Sequence, residues 1–272
     1  MGIAVQTSHD RQLDWTAALA ALAWQVDLGV SEVVQEAPQN SFDLPEAAPW
    51  TRRASDPATP RAEGATPPPR VSTDPVAAAR AAAGACATLA DLRDALTAFD
   101  LCEVKRGARN TVFADGNPAA RVLILTQAPG RDEDLEGRPL VGREGLLLDR
   151  MFAAIGLSRS NPDPARAIYV TPVMPWRPPG NRDPDPAELA MMRPFVDRHI
   201  ALVDPDLIVT LGNSPLLALT AGLTGGLAAR GSWGQVLGKP LMPMVHPSYL
   251  LRNPLAKREV WADLLQIKAR LT

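Results

Sequence analysis

Four short apolar runs constrain the fold of this chain more than any other feature. They are ARVLILT (120–126), IYVTPV (168–173), LIVTLG (207–212) and LMPMVH (241–246). Each is bounded by charged or turn-forming residues. A continuous apolar run of this length reads as a strand buried on both faces. Helix-length segments stand between them. Leu89 to Phe99 reads as a helix. Gly145 to Ile155 reads as another, with Leu146, Leu147, Met151 and Ile155 on one face. Pro186 to Val203 starts with proline in its first turn, where the missing N–H costs nothing. Pro215–Thr220 and Ala256–Leu271 complete the series. Strands alternating with helices predict a three-layer αβα fold around a four-stranded parallel sheet. Ligands of such sheets sit beyond the carboxyl ends of the strands.

The N-terminal third is different. Nine of the 27 prolines fall between Pro38 and Pro75, with Phe42, Leu44 and Trp50 the only large apolar residues before Val71. Such a stretch has little to bury and is expected to be a disordered linker. Before it, Leu13 to Val34 has apolar residues at helical spacing. An isolated helix of that length is marginal, so a docking partner is expected. The organisation predicted is an amphipathic helix within 1–37, a linker over 38–80 and an α/β domain over 81–272. The 272 residues contain no internal repeat.

Composition excludes several classes. The two cysteines, Cys86 and Cys102, form no CxxC pair, which rules out a disulfide scaffold and a cysteine-based zinc site. No uncharged apolar run is long enough to span a membrane. The first residues have no basic segment followed by an apolar one, as a secretory signal would. A cytoplasmic location is therefore expected. The formal net charge is −2. The first 80 residues are acidic, however, and the remainder is mildly basic, with arginine far outnumbering lysine. That permits nucleic-acid binding without demonstrating it.

The informative residues cluster just past the strand ends. After the first strand comes TQAPGRDEDLEGRPLVGREG (126–145), with a Pro-Gly turn, the acidic residues Asp132, Glu133 and Asp134, and Gly142 and Gly145 leading into a helix. Glycines there let backbone N–H groups approach a ligand. The spacing is that of neither a Walker A loop nor GxGxxG. After the second strand comes PWRPPGNRDPDP (175–186), a rigid loop carrying Arg177 and Arg182. After the fourth comes HPSYLLRNPLAKRE (246–259), where Tyr249, Leu250 and Leu251 are ringed by Arg252, Lys257 and Arg258. An apolar tip among cations is how a protein wedges a base step apart while gripping phosphates. Each loop also has a plain structural reading as a connection that braces the fold. His199 and His9 are read as structural; His246, ending a strand on the ligand side, is the functional candidate.

Together these loops resemble the uracil-DNA glycosylase superfamily, most closely its family-4 branch. The matching segments are TQAPGRDED, GRPLVG, TPV, RPPGNR and HPSYLLRNP, in order across residues 88–272. The resemblance implies a four-stranded parallel sheet between helices, and hydrolysis of the N-glycosidic bond of uracil flipped out of DNA. It implies that His246 donates to a uracil oxygen. The backbone around Gln127 and Ala128, with Thr126, Pro129 and Gly130, would hold the base and a water. Leu250 would fill the vacated stack. Ser248, Arg252 and the Pro178–Arg182 loop, with Arg177 and Asn181, would hold phosphates.

Four departures from the family pattern qualify this. The family's water-positioning Glu is Gln127, which can orient water but cannot take its proton; the preceding Gly is Thr126. The Asn that reads uracil is Pro172, which has no donor. The Phe that stacks on the base is Leu140. Finally, the family's four cluster cysteines correspond to Phe99, Cys102, Trp176 and Met192, so no iron-sulfur cluster and no other metal is expected. Glu133 and Asp134 are weighed as substitutes for the missing carboxylate, with a solvated acidic turn as the alternative. Two functions follow: a uracil-DNA glycosylase with reduced or altered activity, or a catalytically weak or inactive relative that binds uracil-containing or abasic DNA, single- or double-stranded. A monomer is expected, with a protein partner conceivable for the N-terminal helix.

Overall fold

In the computed structural model, the residues described are 74–220 and 230–272, with four exposed helical positions at 19, 20, 23 and 24. Apart from those four, the expected N-terminal helix and the linker up to residue 73 lie outside the described residues, as does His9. The chain divides into Met1–Pro68 and Pro69–Thr272.

The elements of the second unit run α1 (Pro75–Gly84), α2 (Leu89–Ala98), β1 (Asp115–Gly116), β2 (Val122–Thr126), α3 (Arg131–Glu136), α4 (Gly142–Ala153) and β3 (Ile168–Pro172). They continue as α5 (Pro186–Val203), β4 (Leu207–Leu211), α6 (Asn213–Thr220), β5 (Gly234–Val236), β6 (Lys239–Met244), α7 (Pro247–Arg252) and α8 (Lys257–Leu271).

The six strands lie in the order β1-β3-β2-β4-β6-β5. The central four are parallel, as the apolar runs predict. The expected four-stranded sheet is nevertheless incomplete. Two short strands add antiparallel edges, β1 on β3 and β5 on β6. Their sequences, DG and GQV, carry too little apolar pattern to announce a strand. Pairing with a formed edge makes them strands.

β2, β3 and β4 are buried along their length and β6 over its last four residues, and their residues alternate between two cores. Leu123, Leu125, Tyr169, Ile208 and Leu241 face the layer of α1, α2, α5 and α6. Val122, Ile124, Ile168, Val170, Val209 and Met242 face α4, α7 and α8. That is the three-layer arrangement expected of doubly covered parallel strands. Among the described residues, no helix is long and apolar enough to cross a membrane.

Two expectations need correction. The linker does not run to residue 80. Asp74 caps α1 by accepting from the N–H of Val76 at 2.9 Å, and Pro75 occupies the first turn. The following Ala-rich stretch has high helix propensity. Ala79 and Ala83 are buried, letting α1 pack closely against α5. Second, α4 begins at Gly142, not Gly145, and its buried stripe is Gly145, Leu148 and Phe152. Leu146 is 59% exposed, while Leu147 and Met151 are only partly covered. The sheet lies on the side of Leu148 and Phe152, which are both fully buried and share the i, i+4 spacing of one helix face.

Candidate active site at the strand ends

A cleft of about 530 Å³ opens beyond the carboxyl ends of β2 and β3 and beside the start of α7. Thr126 and Pro172 end adjacent strands in register. Both line the cleft, as do Gln127, Ala128, Pro129, Gly130, Leu140, Asn181, His246 and Ser248. These expected site residues are therefore brought together from segments far apart in the chain.

His246 is the N-cap of α7. Its Nδ1 accepts from the Ser248 N–H at 3.3 Å and lies 2.9 Å from Ser248 Oγ. A neutral imidazole that accepts at Nδ1 carries its proton on Nε2. That proton points to Thr126 Oγ1, 3.1 Å away. Burial pushes the His246 pKa down to about 4, and the Arg252 cation pushes the same way. The ring is thus neutral near pH 7, and the nearby Glu144 carboxylate (Oε2 to Nδ1, 3.7 Å) forms no ion pair with it there.

The loop from Gln127 to Gly145 is held by its own carboxylates. Glu133 accepts from the N–H groups of Gly130 at 3.1 Å and Val141 at 3.3 Å. Buried Asp134 accepts from the N–H groups of Arg109 at 2.8 Å and Asn110 at 3.1 Å. Both are thus bound to backbone, and neither is a spare carboxylate for Gln127. The acidic stretch is the short helix α3, not a solvated turn. Leu140 is 4% exposed and held at φ 49°. A Cβ on Gly145 would fall 1.9 Å from the Leu140 carbonyl oxygen. Only glycine lets α4 approach that close. The GRPLVGREG spacing is thereby explained as backbone fit.

Gln127 packs on the end of strand β4. A Cβ on Gly212, at φ +90°, would meet Gln127 Nε2 at 2.3 Å, so the amide rests on the Gly212 backbone. A second cleft of about 460 Å³ adjoins, sharing Gln127, His246 and Ser248 and bordered by Asn213, Tyr249 and Arg252.

Some expected residues are placed differently. The HPSYLLR segment is no exposed loop: Pro247 to Arg252 is helical. Leu250 is fully buried, one turn from Pro247 on the inward face, so it is not free to enter a base stack. Leu251 lines the cleft, and Leu255 is 94% exposed between Arg252 and Lys257. Arg182 is bound bidentately to Glu188, which also completes the capping box of α5. Arg177 donates to Asn181 at 2.7 Å. Arg252 is exposed. His199 is buried in the core, between Tyr169 OH at 3.0 Å and Thr171 Oγ1 at 3.4 Å, and stacks on Phe113.

Sequence reasoning missed Glu144, Arg131 and Arg143, which also line the cleft. Starting α4 at Gly142 would have put Glu144 in its first turn, facing the ligand end.

Phe99, Cys102, Trp176 and Met192 all belong to one buried core cluster. Phe99 packs edge-on against Phe195, and Trp176 Nε1 donates to Thr111 Oγ1 at 3.1 Å. Of the four side chains, only Cys102 can offer a thiolate, and burial pushes its pKa up. This set does not fit an iron-sulfur cluster, which requires several thiolate ligands.

Comparison with known proteins bears on this arrangement. The model of the Uracil DNA glycosylase superfamily matches residues 113–265. The type-4 uracil-DNA glycosylase of Thermotoga maritima is 36% identical over 154 residues, covering 56% of this chain and 77% of that protein. The type-4 enzyme of Saccharolobus solfataricus is 31% identical over 183 residues, covering 63% and 81%. That of Archaeoglobus fulgidus is 31% identical over 176 residues, covering 61% and 84%.

Proposed function

We propose that this chain, which belongs to the uracil-DNA glycosylase superfamily, hydrolyses the N-glycosidic bond of uracil in DNA. The observation that carries this reading is His246: neutral, half-buried, with Nε2–H on Thr126 Oγ1 at the wall of a cleft at the strand ends. A uracil turned out of the stack would enter this cleft. As the bond to the sugar breaks, its electron pair moves onto the base. The Nε2–H exchanges Thr126 Oγ1 for a uracil oxygen and stabilises the developing anion. A fixed donor in a dry site is worth far more than one in water. Backbone N–H groups at Gln127 and Ala128 hold the base and the attacking water.

The rate is reduced relative to the family pattern. Pro172 offers no edge contact, and Leu140 gives apolar contact without an aromatic face, where stacking contributes about 1–3 kcal/mol. Arg252, Arg177 and Ser248 are placed for phosphates. Arg182, tied to Glu188, acts by stiffening its loop. The exposed apolar tip that takes the wedge role assigned to Leu250 is Leu255. The domain works without a metal or cluster. A second reading, DNA binding without excision, is favoured by Gln127 and Pro172. One assay separates them. Incubation with uracil-containing oligonucleotides, single- and double-stranded, should release free uracil. Salt-sensitive binding with no released base would establish the second reading.

A further inference from the structure

Gln127 leaves the proposed reaction without a carboxylate at the position where the family pattern has one. A cleft that stabilises an oxocarbenium-like sugar needs a negative charge near it and an acceptor for the water proton. Five acidic side chains come from the loop 130–145, of which Glu136 is exposed and paired with Arg138. Glu133 and Asp134 are bound to backbone N–H groups. Asp132 is exposed at the rim. Glu144 is half-buried, lines the cleft with Gln127 and His246, and lies 3.7 Å from the histidine ring. Its carboxylate accepts no hydrogen bond among the described residues, so both oxygens are available. The first turn of α4 points it at the ligand, and Gly145 behind it fixes the approach of that turn to Leu140.

Resting on the uracil-excision reading, we infer that Glu144 is the carboxylate of this cleft and acts as general base in place of Gln127. The water oxygen forms its bond to the sugar C1′ as the C1′–N1 bond breaks. The pair from that bond goes to uracil, held by His246 Nε2–H. The water proton goes to Glu144, which then returns it to solvent or to the departing uracil anion. The surroundings suit a base. Burial raises the Glu144 pKa, Glu133 and Asp132 raise it further, and only Arg252 opposes. His246, its other titratable neighbour, is neutral above about pH 4.

The test uses the full chain and single-turnover excision of uracil from a single-stranded oligonucleotide. Glu144→Gln should lower the rate by about 10²–10⁴-fold. Melting temperature and DNA affinity should hold, and the acid limb of the pH–rate profile should vanish. Adding Gln127→Glu to Glu144→Gln should restore much of the rate. If the unaltered protein excises uracil and Glu144→Gln excises it equally well, with the same pH profile, the assignment of Glu144 is overturned while the glycosylase reading stands. If the unaltered protein releases no uracil, both fall together.

Discussion

The core between α2 and α5 and the cleft at the strand ends both carry residues that depart from what the resemblance implies, with different consequences. In the core, Phe99, Cys102, Trp176 and Met192 are packed into one apolar cluster. What such a region requires is volume and apolar surface, and many residue sets supply those. In the cleft, Gln127, Leu140 and Pro172 stand where the resemblance implies side chains that accept, stack or donate. Apolar packing cannot stand in for a missing carboxylate. Another carboxylate has to reach the same space, and Glu144 does. A fold can therefore accommodate loss at a packing site locally. A reaction centre must recruit a group of the same chemistry from a neighbouring element.

This contrast can be broken by experiment. The largest effects belong in the cleft. Beside Glu144→Gln, His246→Ala is expected to reduce uracil release by about 10²–10³-fold, the usual cost of one anion-stabilising donor. Its stability should fall only by the loss of a helix cap, about 1 kcal/mol. An excision rate unchanged in His246→Ala would remove the leaving-group role. The core should behave in the opposite way. Trp176→Ala should cost about 3–5 kcal/mol in urea unfolding, while the folded fraction excises uracil at an unaltered rate. A changed rate would mean that the core and the cleft are coupled.

Buried His199 and half-buried His246 give a smaller effect, set by pH. The unfolded chain takes up their protons near the ordinary value of 6.5, whereas folded His199 resists to about 3 and His246 to about 4. The unfolded state thus binds more protons between those limits. The histidines cost no stability above pH 6.5, and stability falls as the pH drops from 6.5 towards 4. Urea midpoints measured across that range should decline, and His199→Gln should flatten the decline. Smallest is Leu255→Ala. It should slow excision from double-stranded DNA several-fold while sparing single-stranded DNA, which has no stack to open. Equal loss on both substrates would deny Leu255 the wedge role.

Much of the fold was legible in the sequence because its signals are local. The four apolar runs mark the central strands within a residue or two, and Pro186 marks the start of α5. Edge strands β1 and β5 were not legible, since their pairing depends on a neighbour. Within the site, His246 and the strand-end loops could be identified because prolines and glycines punctuate them. Leu250 was misplaced because an apolar residue beside cations looks the same in sequence whether it faces the core or solvent. The helical turn of α7 decides that. Glu144 was missed for a related reason. It stands two residues past Gly142, where α4 starts earlier than the apolar pattern suggests.

The sequence by itself determined the alternation of strands and helices, the ligand end of the sheet and the family, because each is written in short-range pattern. It also determined that Gln127 cannot act as a base and that Phe99, Trp176 and Met192 carry no thiol. Those are properties of side-chain chemistry alone. Only the tertiary structure decided which carboxylates are free. Glu133 is bound to the nearby N–H of Gly130 and to that of Val141, Asp134 to the N–H groups of Arg109 and Asn110, and Glu144 is left facing His246, 102 positions along the sequence. Availability of a polar group depends on every partner that folding brings to it. No local pattern records those partners.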